Sequence, residues 1–453
     1  MNIIITVAAL DGFHGSVLHV KEWVEGISKY VKNSNIAVVS IFFDKNTKKI
    51  IEDAGAKVYD VQEYLSLASS SAYDLIIAFH FPILERMLFA GVRSKKIINW
   101  SLSPYEPLEA YSAFWADLTL LIANSEETKI ERAKTQRIPA ERIIVINNPL
   151  PDKFQRKAGS TLHNSGEALS SLRVLVVSNH VPLELSNLIQ LSRNTNNFFG
   201  NNETTYQKGG GEETKGLSFV HYGQGGDVVG EVTPELTEKF DVVVTIGKTI
   251  QYCLGMSKPV FEYDRFGGRG YINLNNYEEA KKFNFSGRPK YRNLSSTDLA
   301  GELLRGYPEA KKQVAELQRK ALIDFSIRSQ IECLFQLLSE KQEIDPGLLD
   351  RLIKPTNFEL DSVAFINSFR WLKGDNYYLC GKLNSMTSEV HQLQEIIIQK
   401  EEELRRIESS SKSYGQQLLE VIKQREEELS QIRSSRAYKV ALILRRFKSF
   451  ITG

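Results

Sequence analysis

The sequence predicts an α/β chain of two Rossmann-like domains facing a cleft, followed by a long α-helical coiled-coil tail. Three observations predict it. Short, continuous apolar runs rich in β-branched residues alternate with helical patterns in two successive blocks, separated by a polar stretch. The 453 residues exceed what one hydrophobic core organises. Beyond residue 385 the strand-like runs stop and apolar residues recur at steps of three and four.

In the first block, residues 1–155, the strand candidates are Ile3 to Ala8, Ile36 to Phe43, Asp74 to Phe79, Lys96 to Trp100, Leu118 to Ala123 and Arg142 to Ile146. Unbroken apolar strands with helices between them imply a parallel sheet covered on both faces. Residues 156–171, RKAGSTLHNSGEALSS, lack apolar periodicity and read as a linker. The second block, residues 172–342, repeats the pattern at Arg173 to Val177, Leu217 to His221, Asp241 to Thr245 and Pro259 to Tyr263, and helices from about Thr297 to Glu340 close it. Asn194 to Gly216, with NTNNFFGNN and KGGGEE, reads as a solvated insertion, because no strand-to-helix context frames its glycines.

A helical connector, residues 343–385, leads to a coiled coil over residues 386–434. Met386, Val390, Leu393, Ile397, Leu404, Ile407, Tyr414, Leu418 and Val421 mark its seam, and Ile422, Leu429 and Ile432 continue it in a shifted register. Such a seam implies an oligomer or a helical partner. Residues 435–453 differ in kind. Val440, Ile443, Leu444, Phe447 and Ile451 form an apolar stripe, flanked by Arg436, Lys439, Arg445, Arg446 and Lys448 without one acidic residue. A basic amphipathic helix of this type suits an anionic membrane surface, or alternatively docks on its own chain or an oligomer partner.

Composition excludes several classes. A net charge of +2 does not provide the basic stripe of a nucleic-acid binder. Cys253, Cys333 and Cys380 have neither metal-ligand spacing nor a disulfide framework, so no metal is expected and a cytoplasmic setting fits. No apolar run reaches the roughly 18 to 20 residues that span a bilayer. The expected membrane contact is therefore peripheral, at the inner face.

In paired open sheets, ligands gather where strands end. After the first strand come Asp11, Gly12, Phe13, His14, Gly15 and Ser16, a small-residue turn into a helix whose N-terminus favours anionic groups. His80 follows the strand Asp74 to Phe79, as a base, as a hydrogen-bond partner of a sugar hydroxyl, or as a structural histidine. Glu106, in SLSPYEPLE, is either a general base or part of a capping box with Ser103. Asn179 and His180 follow the opening strand of the second block and point to a cleft. Densest of all is TIGKTIQYCLGMSKPVFEYDRFGGRGYI, Thr245 to Ile272. There Gly247, Lys248 and Thr249 start a helix, and Asp264, Arg265, Phe266, Gly267 and Gly268 are expected to open another helix or a turn. Amides at helix starts, aided by Lys248, Arg265 or Arg269, suit a diphosphate. GKT here is not a Walker motif, since Val242 stands where its first glycine belongs.

The ordered set NSEETK, IPAERIIVINNPLPDKF, VVSNH, DVVVTIGKTIQYCLGMSKPVFEYDRFGGRGY and FNFSGR resembles bacterial GT-B glycosyltransferases of the glycosyltransferase group 1 and 4 type, over most of residues 1–340. The resemblance implies transfer of a sugar from a nucleotide-sugar donor to a glycan or lipid-linked acceptor, with no cofactor and no obligatory metal. Carried over by position, it puts His14, Gly15 and Ser16 in an acceptor-side loop and His80 in the cleft. It puts Gly247, Lys248, Thr249, Asp264, Gly267 and Gly268 around the donor. Val244 and Tyr252 stand where many retaining members carry two glutamates, with Glu262 off position and Gln251 a substitute, so the anomeric outcome stays open. A non-catalytic homologue serving as a binding subunit is the alternative.

Overall fold

The computed structural model describes residues 1–12, 15–67, 73–156, 171–197, 216–223, 225–289, 292, 294–344, 400, 415–435 and 439–440. They fall into two units, Met1–Ile366 and Asn367–Gly453.

The first unit holds two sheets. In the first lobe, β1 (Asn2–Leu10), β2 (Asn35–Phe43), β3 (Ala56–Asp60), β4 (Tyr73–Ala78), β5 (Ser94–Ser101), β6 (Leu120–Ala123) and β7 (Ile143–Val145) are all parallel, in the order β3-β2-β1-β4-β5-β6-β7. The helices α1 (Gly15–Tyr30), α2 (Lys45–Asp53), α3 (Val61–Leu67), α4 (Phe81–Phe89) and α5 (Glu126–Gln136) cross between them. The sequence reading omitted β3, whose five residues AKVYD alternate instead of forming an apolar run.

In the second lobe, β8 (Leu172–Val177), β9 (Leu217–Tyr222), β10 (Val242–Thr245), β11 (Val260–Asp264) and β12 (Gly267–Tyr271) run in the order β12-β11-β10-β8-β9, with only β12 antiparallel. Its helices are α6 (Leu183–Asn197), α7 (Pro234–Glu238), α8 (Lys248–Gly255), α9 (Tyr277–Lys282) and α10 (Ser296–Phe325). Because α6 runs to Asn197, the expected insertion starts inside a helix, and residues 198–215 lie outside the described set. The linker, residues 157–170, does as well.

One helix changes allegiance. The closing helices of the second block were expected to cover their own sheet, and α10 does. By contrast, α11 (Ile327–Ser339) returns to the first lobe, where Ile327, Ile331, Leu334 and Leu338 join the core built on β1, β4 and β5. The reason is visible at Gly26 of α1, where an added Cβ would stand 2.6 Å from both Ile327 and Ile331, so the two helices pack at backbone range. The chain therefore crosses between lobes twice. The crossings pair with each other, Leu150 N donating to Phe325 O (2.6 Å) and Ile327 N to Leu150 O (3.0 Å).

In the second unit the described helix is α12 (Gly415–Ser434), where Leu429 is buried against Ile422 and Ile432. The rest of the predicted coiled coil, and the basic helix apart from Ser435, Lys439 and Val440, lie outside the described residues. Among the described residues no helix is long and apolar enough to cross a membrane.

Candidate functional site

Strand order locates the site before any side chain is considered. In a doubly wound sheet, neighbouring strands whose connections leave in opposite directions open a crevice at their carboxyl ends. In the first lobe those strands are β1 and β4, which end at Gly12 and His80. In the second they are β8 and β10, which end at Ser178 and Gly247. Segments of the two lobes touch. Arg288 grips Glu127 with two nitrogens at 2.8 and 2.9 Å, Asn148 donates to Asn284 (2.9 Å), and Lys21 and Lys153 share Glu231. Glu22 of α1, the helix after β1, also meets Lys248 and Tyr252 of α8, the helix after β10, so the helices that follow these two strands touch.

At the second crevice β10 delivers Gly247, whose φ of +65° suits glycine and whose missing Cβ opens onto free space. Its N–H is occupied by Phe285 O at 2.6 Å. No side chain caps α8, and the amides of Lys248 and Thr249 lie in its first turn, where an anion is favoured. Gln251 is 1% exposed, and among the described residues its Oε1 has no hydrogen-bond partner.

Lys248 is not a free cation. Its Nζ donates to one oxygen of Glu22 on α1, while the Tyr252 hydroxyl donates to the other. Burial pushes the Glu22 carboxyl up and the Lys248 ammonium down, each opposed by the attraction of the other. Burial likewise holds the Tyr252 phenol well above its usual value. One turn earlier on α1 lies His19, 1% exposed, packed edge-on against Phe79 and Trp100 at 5.1 and 5.4 Å between ring centres. Among the described residues neither ring nitrogen completes a hydrogen bond. Burial, then the charge of Lys248, holds it well below the usual histidine range, with Asn148 close enough to pull the other way. That direction favours the neutral imidazole.

Asp264 ends β11, buried at 4% exposure, accepting from Ser178 Oγ (3.1 Å) and Arg265 N (2.6 Å). Burial pushes its carboxyl up to about 6, against those hydrogen bonds. The residues after it take the second of the two forms expected of them, a turn. Arg265 to Gly268 open no helix; they turn into the antiparallel β12. A Cβ on Gly268 would meet Glu262 O at 1.8 Å, and one on Gly267 would meet Arg292 N at 2.5 Å. The close approach of two backbones therefore demands both glycines, which carry no helix-start amides. Glu262 is also committed: wholly buried, it accepts from Arg269 Nη1 (2.8 Å), Arg269 N (3.1 Å) and Gly287 N (3.2 Å). Asn179 is exposed and His180 half-buried, its N–H donating to Ser178 Oγ at 2.9 Å.

At the first crevice, Gly12 N donates to Asp44 (3.1 Å), Gly15 is exposed, Ser16 is half-buried, and His14 lies outside the described residues. His80 is buried, with Ala8 N donating to its Nδ1 at 2.7 Å. That bond places the proton on Nε2, which faces Glu109 at 3.8 Å. So held, His80 can donate a hydrogen bond but has no lone pair for a general base, which corrects one of its three readings. Glu106 is exposed and accepts from Leu108 N at 3.4 Å, while Ser103 Oγ accepts from Glu106 N at 3.3 Å. Glu106 thus starts the short turn Pro107–Glu109 and does not return to Ser103, so no capping box forms.

The sequence reading missed His19, Glu22, Glu109 and the pair Arg288–Glu127. His19 and Glu22 carried a signal, being polar residues three apart on a helix otherwise buried through Val17, Val20, Trp23, Val24 and Ile27. Arg288 and Glu127 carried none, because 161 residues separate them. Among the described residues no acidic, histidine or cysteine cluster could hold a metal. A pocket of about 220 Å³ lined by Asn2, Asn35, Tyr59, Tyr64 and Tyr73 lies at the amino ends of the strands, away from both crevices.

No family model and no curated protein matches the chain. Solved structures do resemble it. A mutant of S. aureus TarM in complex with fondaparinux, alpha-GlcNAc-glycerol and UDP is 11% identical, with 75% of this chain and 100% of that chain covered and a TM-score of 0.46. The pneumococcal O-GlcNAc transferase GtfA, in complex with UDP and GlcNAc, is 9% identical over 75% of this chain and 99% of that one, at 0.45. A putative UDP-N-acetylglucosamine 2-epimerase from Listeria monocytogenes is 10% identical over 75% and 95%, at 0.43. Likenesses of this degree say nothing of the chemistry, which rests on the chain's own residues.

Proposed function

We propose that the chain is a glycosyltransferase that moves a sugar from a nucleotide-sugar donor to a glycan or lipid-linked acceptor, in bacterial surface polysaccharide or glycoconjugate synthesis. The observation that carries this reading is the uncapped start of α8 at one crevice, in contact with the helix that follows β1 at the other. A donor diphosphate sits against the Lys248 and Thr249 amides, which stabilise the charge that grows as the sugar departs. Asp264 and Gln251 lie beside it as partners for hydroxyl groups, Asp264 fit to donate a proton in mildly acidic conditions. From the first lobe His80 offers Nε2–H to the acceptor, and the exposed Glu106 is the carboxylate placed to accept its proton. The loop at Gly15 and Ser16, and Asn179 with His180, border the cleft from either side.

The test is calorimetric titration of the full chain with a panel of nucleotide sugars, followed by assay of hydrolysis or transfer for any that bind. Failure to bind every member would sink the reading. The basic stripe of residues 435–453 supports attachment to the inner face of a membrane, near a lipid-linked acceptor.

A further inference from the structure

The helix that starts at the second crevice has a lysine but no carboxylate of its own, since α8 reads KTIQYCLG. A carboxylate is nevertheless present there, delivered by α1 from the other lobe. Lys248 and Tyr252 stand four residues apart on one face of α8, close enough for the two oxygens of Glu22 to accept from both. The Tyr252 ring is fixed in turn, stacked on Phe154 with ring centres 4.1 Å apart and planes 3° from parallel. The side chains of Glu22 and Lys248 are only 4% and 10% exposed. An ammonium has three donors, and Glu22 engages one oxygen with it. Among the described residues no second acceptor is bonded to that ammonium.

We propose that Glu22 of the first lobe is the positioning residue of the donor site, holding the Lys248 ammonium at the start of α8 where the donor diphosphate is received. The inference rests on the donor reading above and deepens it, because one half of the anion site is then assembled only with the lobes together. The groups that act on this ammonium are Glu22, in contact with it, and His19 from α1, while Glu25 and Glu231 act on Tyr252, which shares Glu22.

The experiment titrates the full chain with UDP, GDP, CDP, dTDP and inorganic pyrophosphate between pH 7.5 and 10. Glu22→Gln keeps the volume and an acceptor for Tyr252 but removes the charge. A buried lysine deprived of its anion loses its proton at lower pH, so the pH at which binding is half lost should fall by about one to three units relative to wild type. Glu22→Gln/Tyr252→Glu, which returns a carboxylate to α8 one turn from Lys248, should restore the wild-type profile. Glu22→Asp, the milder change if Glu22→Gln does not fold, should weaken binding while leaving the profile in place. An unchanged profile in Glu22→Gln, or a loss equal at every pH, would overturn the proposal and leave the donor reading intact. A wild-type chain that binds none of the five would overturn both.

Discussion

Removing the Glu262 carboxylate should unfold the second lobe's floor without any ligand being involved. Glu262 is wholly buried between β11, β12 and the segment around Gly287, and its partner Arg269 has a side chain only 3% exposed. Three Arg269 contacts to its oxygens, from Nη1 at 2.8 and 3.1 Å and from the backbone N–H at 3.1 Å, and the Gly287 N–H at 3.2 Å, would all lose their acceptor in Glu262→Ala. A buried guanidinium left without its anion costs about 3–5 kcal/mol. For a lobe of this size each kcal/mol lowers Tm by roughly 2–4 °C, so the variant should melt about 6–20 °C below wild type. Thermal melts followed by circular dichroism, with urea titration as a second measure, read this directly. Because a buried ion pair replaced by apolar groups is often neutral, Glu262→Met/Arg269→Met should recover most of the loss. A single variant within about 1 kcal/mol of wild type that instead loses nucleotide binding would refute this reasoning and make Glu262 a ligand contact.

Three further outcomes are expected. Burial holds the Asp264 carboxyl at about 6 in the folded chain, against 3.8 for the free side chain. The folded state therefore binds the extra proton between those values, and stability falls as pH rises from about 4 to 6, by on the order of 3 kcal/mol in total. Asp264→Asn should flatten that slope in melts taken from pH 4 to 7; an unchanged slope would assign it to another group. His80→Asn keeps an acceptor for Ala8 N but no imidazole, and turnover should stay within about tenfold of wild type, whereas loss of a general base costs about 10²–10⁴. Removing residues 435–453 should abolish sedimentation with anionic vesicles and leave nucleotide binding as it was; undiminished sedimentation would rule out the membrane role of the stripe.

The parallel sheets were legible because their signal is local. A strand buried on both faces must be mostly apolar, and β1, β2, β4 and β10 are, with single polar residues such as Thr6, Ser40, Asp74 and Thr245. The start of α8 was legible for the same reason, since a strand, a glycine and a helix follow in eight residues of chain. The segment after Asp264 left a helix and a turn both open because glycines serve two needs. They allow a backbone to approach a ligand, and they allow it to approach another backbone, as Gly268 approaches Glu262. Only the position of β12 decides between them.

Lys248 shows a deeper limit of local reading. In sequence it is a cation at a helix start, which is half of an anion site. In the fold its charge is already answered by Glu22, 226 residues away. A diphosphate arriving at α8 therefore does not meet a bare cation; it joins an ammonium, a carboxylate and a phenol that two lobes hold jointly. Substituting Lys248 alone would strand Glu22 as an unpaired buried charge, and its effect would mix lost binding with lost stability. Changing Glu22, and then restoring a carboxylate at Tyr252, separates the two. Only that pair moves the charge between lobes while leaving the lysine where it is.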